Sequence, residues 1–329
     1  MVLPLPKKFA FKFEKEISSF LWKGHMTRNV LSRETVCLPK SQGGLGIPHI
    51  RLKCMSLFIK QMCRNILSRG NSKSHIDFWL GSRIGLTSLD SEMFHIKKFK
   101  GKLVDTTPDL FNITLKYFTD CYANGIFAPT DINSLTTKSI YTALLKEITP
   151  PVIVTKYPER DWSLIWQRLN SGVFTPETRS YIYLILHERV GTRERGHRLM
   201  PGRFHSPQCC RCGQEPETII HRYQTCRHVS QVWEWVRNLM LLLDPCLSLD
   251  SDSDILSLNF SKGLRENSIL WLLGIFIKLV ESDVILKQYI LNPNTVPGFF
   301  KQQKQKARHM AMPDLGIIPG LDFDQQGIG

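Results

Sequence analysis

Four metal-binding side chains fall within the eighteen residues "CCRCGQEPETIIHRYQTC" (209 to 226), where Cys209, Cys212, His221 and Cys226 follow the spacing C-x2-C-x8-H-x4-C. A Cys-x-x-Cys pair can grip one metal ion from a tight turn, and two further donors complete a tetrahedron of three thiolates and one imidazole that suits zinc. A closed set of that kind leaves no coordination position for water or substrate, so the role it implies is structural rather than catalytic. Gly213, directly after the second cysteine, fits a knuckle whose backbone N–H groups point at sulfur. Cys210 has only one residue between it and Cys212 and is left as a spare thiol. The same residues also admit a metal-free reading, as reduced cysteines near a helix end. Disulfides are the weaker alternative. The nine cysteines are odd in number, five of them (Cys37, Cys54, Cys63, Cys121 and Cys246) stand alone, and no secretory apolar segment follows Met1, which together read as a reducing intracellular compartment, nucleus or cytoplasm.

The surroundings of the cluster must position it. Glu217, four residues before His221, is expected to orient a ligand through a hydrogen bond. His221 is expected to open a helix that continues into "VSQVWEWVRNLM", with Val232, Trp233 and Val236 buried to tie the metal turn to the helices before it. From His187 to His228 there are eight arginines, four glutamates and no lysine. Guanidinium forks suit phosphate and stack on bases, so Arg193, Arg195, Arg198, Arg203, Arg211 and Arg222 are candidate nucleic-acid contacts, with pairing to the glutamates as the competing reading.

The formal net charge is +14 over 329 residues, and residues 1 to 70 carry eight Lys and five Arg against three Glu, a net +10. Such unevenness points to one face built for a polyanion. Within it, Ile50 to Leu67 has helical periodicity. Lys53, Lys60 and Arg64 share an arc of about 40° opposite Cys54, Met55, Phe58, Ile59, Met62 and Ile66, a basic face that can follow a phosphate backbone or simply be solvated.

The remaining chain reads as mainly α. Apolar residues at Phe9, Phe13, Ile17 and Phe20 or Leu21 mark an amphipathic helix ending near "WKG", and "LPKSQGGLGIP" is a turn. Residues 70 to 150 are helices joined by loops, and "TPPVIV" is a stiff boundary. Trp162 and Trp166 lie one helical turn apart and are expected in a core, followed by a helix over about 178 to 189. "ILWLLGIFIKLV" (269 to 280) is about twelve residues with Lys278 inside it. That is short of the roughly twenty needed to span a bilayer, so it is expected as a buried helix, with no membrane partner. "DSDSD" (250 to 254) reads as a solvated loop and residues 301 to 329 as a disordered tail.

Two stretches resemble one family. "FLWKG...R......LPKSQGGLGIPHI" (20 to 50) is similar to the thumb-adjacent segment of LINE-type (non-LTR) retrotransposon reverse transcriptases. "DWSLIWQRLN" through "TRERGHRL" to the Cys/His cluster and "WEWV" (161 to 236) resembles the zinc-binding domain that follows it. The second stretch carries Thr192-x5-Arg198-Leu199, Cys-x-x-Cys, Glu217-Thr218, the histidine, the last cysteine and flanking tryptophans. The resemblance implies zinc on Cys209, Cys212, His221 and Cys226, and binding of RNA and/or DNA. It divides the chain into a thumb-like basic segment (1–69), a helical connecting region (70–150), a zinc-stapled helical domain (155–245), C-terminal helices (246–300) and the tail (301–329).

No Tyr-x-Asp-Asp or paired aspartates precede the thumb-like segment, so the two-metal polymerase site is missing and no catalysis is expected of this chain alone. Pro313-Asp314 with Asp322 or Asp324 lacks the following lysine that a restriction-like nuclease needs. Met1 falls where the family's palm would end, which suggests a C-terminal fragment. The alternatives are an accessory part of an RNA-directed DNA polymerase whose palm is supplied elsewhere, or a non-functional relic. Without a palm to dock on, Phe9, Phe13, Phe20 and Trp22 are expected to stay partly exposed.

Overall fold

The computed structural model describes residues 5–22, 30–68, 72–81, 108–123, 125–126, 134–145, 148–247, 252–286, 294–309 and residues 316, 318 and 321. Among these the chain is helical, with no strand beyond a lone bridge between Gln208 and Pro216. The basic run at 97–102, the Pro313-Asp314 pair, Asp322, Asp324 and the tail from 310 onward, apart from those three residues, lie outside the described residues.

Two compact units divide the chain, Met1–Pro39 with Gly43–Thr149, and Lys40–Gln42 with Pro150–Gly329. In the first, helices α1 (Lys7–Leu21), α2 (Arg33–Cys37), α3 (Ile50–Leu67), α4 (Ser72–Ile76, running on into a π turn Asp77–Gly81), α5 (Asp109–Ala123) and α6 (Thr137–Leu145) follow one another. Helix α3 is central. Its apolar face, Met55, Phe58, Ile59, Met62 and Ile66, packs with Leu80, Phe118, Cys121 and Ile140 in one buried cluster. The division expected at 69/70 is therefore not a break in packing, because α4, α5 and α6 close their apolar faces on α3. At the start of α3 the His49 ring accepts from the Leu52 N–H at 3.5 Å, and the His49 N–H donates to the Tyr141 hydroxyl at 2.9 Å. On α1, Phe9, Phe11, Phe13 and Phe20 are exposed, Phe20 at 86 %, while Trp22 is half-buried.

In the second unit the order is α7 (Val152–Lys156), α8 (Trp162–Leu169), α9 (Pro176–Leu186), α10 (Arg193–Leu199), a single π turn His221–Thr225, α11 (Ser230–Leu243), α12 (Asp252–Leu256), α13 (Glu266–Leu286) and α14 (Val296–His309). Where "TPPVIV" suggested an extended linker, Pro151 instead stands at the N-cap of α7, since a helix start loses nothing to a missing N–H. Starts are capped by sequence-local oxygens: Asp161 Oδ1 accepts from Leu164 N at 3.0 Å, Thr175 Oγ1 from Thr178 N at 3.2 Å, and Thr192 Oγ1 from Arg195 N at 3.3 Å.

The core of this unit is α13, whose residues 268 to 277 are all buried, as expected of a helix apolar on every side. Gly274 lets it approach α9 and the residues before it, for a Cβ there would come within 2.9 Å of the Phe174 ring and 3.2 Å of Thr178 Cγ2. No helix among the described residues is long and apolar enough to cross a membrane. Trp162 and Trp166 stack at 5.1 Å and are both buried. Trp233 meets Phe276 at 5.2 Å, so α11 is tied to α13. Because α9 and α11 both pack on α13, the expected division at 245/246 is not a break either. Helix α14 runs past residue 300, where the tail was expected to begin, anchored by Phe300 against Trp235 and Trp271 and by buried Lys304 and Ala307.

Candidate metal centre

Arg211 N donates to Cys209 Sγ at 3.4 Å, and Gly213 N to Cys209 O at 2.8 Å. The knuckle closes at Gly213, whose φ of 69° is a conformation that residues with a Cβ rarely adopt. The second half of the centre is not the start of a long helix. His221 to Thr225 makes one wide turn, closed by Cys226 N donating to His221 O at 3.0 Å, and Cys226 is extended before α11 begins. A π turn carries one more residue than an α turn, and such turns recur at functional sites. Thr218 Oγ1 accepts from His221 N at 3.0 Å and so sets where that turn begins.

Four ligand atoms, from Cys209, Cys212, His221 and Cys226, lie within 4.8 Å of one another, and all four residues are buried. Tetrahedral zinc, with Zn–S of about 2.3 Å and Zn–N of about 2.0 Å, sets two sulfurs about 3.8 Å apart and a sulfur and a nitrogen about 3.5 Å apart. Here Cys209 Sγ is 3.9 Å from Cys226 Sγ, and Cys212 Sγ is 3.3 Å from His221 Nε2. The donor set and its spacing fit the ion.

Behind the histidine stands Glu215, whose Oε2 is 2.9 Å from His221 Nδ1 and directs Nε2 at the sulfurs. The expected orienting residue was Glu217. It is turned the other way, buried, and accepts the Arg193 N–H at 2.7 Å, adding a second cap to α10 beside Thr192. Cys210 stays outside the donor set, its Sγ 4.0 Å from Glu217 Oε1. A hydrogen bond from the Cys210 thiol, with the backbone N–H groups of Cys212 and Arg211, holds the Cys209 thiol below its ordinary range. The same hydrogen bond to Cys209, and burial, raise Cys210. Burial pushes Cys226 up to about 12. At His221 burial acts to lower the pKa, and the neighbouring sulfurs of Cys212 and Cys209 outweigh it and raise it.

The candidate nucleic-acid residues divide. Arg211 and Arg222 are buried, which corrects their reading as surface contacts: Arg211 Nε donates to Asp283 Oδ2 at 3.0 Å, and Arg222 Nη2 to Glu281 Oε2 at 3.3 Å. Arg198 and Arg203 are exposed, Arg198 beside Glu194 at 4.0 Å. Arg193 and Arg195 are half-buried. Burial and then the nearby charges of Arg189 and Arg198 lower the Arg195 pKa. In the first unit Arg64 is exposed, while Lys53 and Lys60 are half-buried, with Lys53 Nζ 5.4 Å from the Tyr141 ring. Glu215, Glu281, Asp283 and Tyr223 were missed by sequence reasoning. The signal available for two of them was a pair of carboxylates closing an otherwise apolar helix.

Residues 135–233 match the family model described as zinc-binding in reverse transcriptase. The match holds all four candidate ligands, and this region of the chain is related to reverse transcriptases. It spans under a third of the chain and ends within α11, before α12, α13 and α14. No curated protein matches the chain.

Proposed function

We propose that Cys209, Cys212, His221 and Cys226 hold one zinc ion as a closed structural centre, and that the chain is a nucleic-acid-binding part of a LINE-type reverse transcriptase with no catalysis of its own. The convergence of four buried donors at zinc-like separations carries this reading. The exposed Arg198 and Arg203, with Arg195 feeling the charges of Arg189 and Arg198, support a phosphate-binding surface. Elemental analysis of the purified chain should return one zinc per molecule, lost in Cys212→Ser. A fluorescence titration with RNA and with DNA at several salt concentrations should give affinity falling linearly on logarithmic axes, by about 0.9 per phosphate contacted on duplex DNA and about 0.7 on a single strand. Absence of stoichiometric zinc, or of binding at low salt, rejects the corresponding half.

The exposed Phe9, Phe13 and Phe20 on α1 support a second reading, in which the chain serves as an accessory to a polymerase palm supplied by another polypeptide. Adding the chain to a palm-bearing enzyme should then raise primer extension. No change dismisses it.

A further inference from the structure

Both ligand-bearing segments are bolted to α13, a helix that lies after the residues matched by the zinc-binding family model. Arg211 sits inside the Cys-x-x-Cys knuckle. Its Nε donates to Asp283 Oδ2 at 3.0 Å, its Nη2 to Val280 O at 2.9 Å, and its Nη1 to Arg222 O at 3.3 Å. One guanidinium thus spans the cysteine segment, the histidine segment and the helix. Directly after the histidine, Arg222 pairs with Glu281 at 3.0 Å, and the Tyr223 hydroxyl donates to the same carboxylate at 2.7 Å. All of these side chains are buried.

We infer that Glu281 and Asp283 are positioning residues of the metal centre, which they hold through Arg211, Arg222 and Tyr223 without touching a ligand. The inference rests on the reading of the four donors as a zinc site. Its physical basis is preorganisation. With the carboxylates in place, the knuckle and the π turn hold their donors at coordinating distance before an ion arrives. Without them, a buried guanidinium loses its counter-charge, the two segments separate, and ordering them is charged against metal binding.

The test is a zinc titration of the full chain against a chromophoric chelator. Asp283→Asn keeps the shape and removes the charge, and should weaken zinc binding about 10- to 100-fold, as should Glu281→Gln. Gly274→Ala in the same helix strains the contact with Phe174 and reaches neither arginine. It should lower the melting temperature yet leave zinc affinity within about threefold. Equal affinity in wild type, Asp283→Asn and Glu281→Gln overturns the inference, as does an equal loss in Gly274→Ala. Should the carboxylate variants fail to fold, hydrogen exchange on the wild type decides. Coupling is reciprocal, so zinc should slow exchange in the last two turns of α13, and identical exchange with and without zinc overturns the inference. A wild type that binds no zinc sinks the zinc reading itself.

Discussion

A guanidinium can meet a nucleic acid only from solvent, and that requirement sorts the arginines between His187 and His228. Arg211 and Arg222 are 7 % and 4 % exposed and each faces a carboxylate on α13. Removing one partner of a buried pair strands the other charge, so Arg211→Ala should cost about 3–5 kcal/mol in chemical denaturation. Arg198→Ala, at the surface, should change stability by less than about 0.5 kcal/mol. It should instead flatten the salt dependence of nucleic-acid binding by about 0.9 on logarithmic axes, which titration at several salt concentrations checks. The four donors were legible because metal-ligand spacing is local. The division among arginines was not, because Asp283 is far along the chain from Arg211, and nothing near the arginine says which charge it will meet.

Among the helices, periodicity located some elements better than their ends. The period from Ile50 to Leu67 is the observed α3, whereas the helix expected over about 178 to 189 runs from Pro176 to Leu186, opened by the Thr175 cap. The sequence could not show that a π turn would interrupt the expected run from His221 into α11, because the aromatic and apolar residues on both sides fit one helical period. The turn is held by a local contact of His221 with Glu215 and a long-range bond from Tyr223 to Glu281. Helix α7 is held by such a bond as well. Glu188 accepts from Lys156 Nζ at 2.8 Å and from the Tyr157 hydroxyl at 2.8 Å. Burial acts to raise the Glu188 pKa, but these two donors outweigh it and hold it below the usual carboxylate range. A lowered folded-state pKa contributes stability above the unfolded value and loses it as pH falls through the folded value. Glu188→Gln should therefore lower the melting temperature at pH 7, by a small amount for a half-exposed pair, and the gap to wild type should close as the pH drops below the ordinary carboxylate range.

At the level of the whole molecule, each unit buries its own core, one around α3 and one around α13. The candidate metal donors all belong to the second. A chelator should therefore increase protease cleavage and amide exchange within 150–247 while leaving the helices at 50–67, 72–76, 109–123 and 137–145 protected as before. Equal loosening of both regions would contradict independent cores. The outline of mostly helical elements was readable, whereas the grouping was not. Periodicity marks an apolar face but does not name the face it will close against, so helices that resembled separate regions share a core.

The order of synthesis gives the carboxylates on α13 one more consequence. The thiols leave the ribosome before Glu281 and Asp283 have been made, so the nascent knuckle must pass through a period with its arginines uncountered and its sulfurs loosely held. Metal capture during translation would then be reversible and open to oxidation. It would become durable only once α13 has emerged and docked.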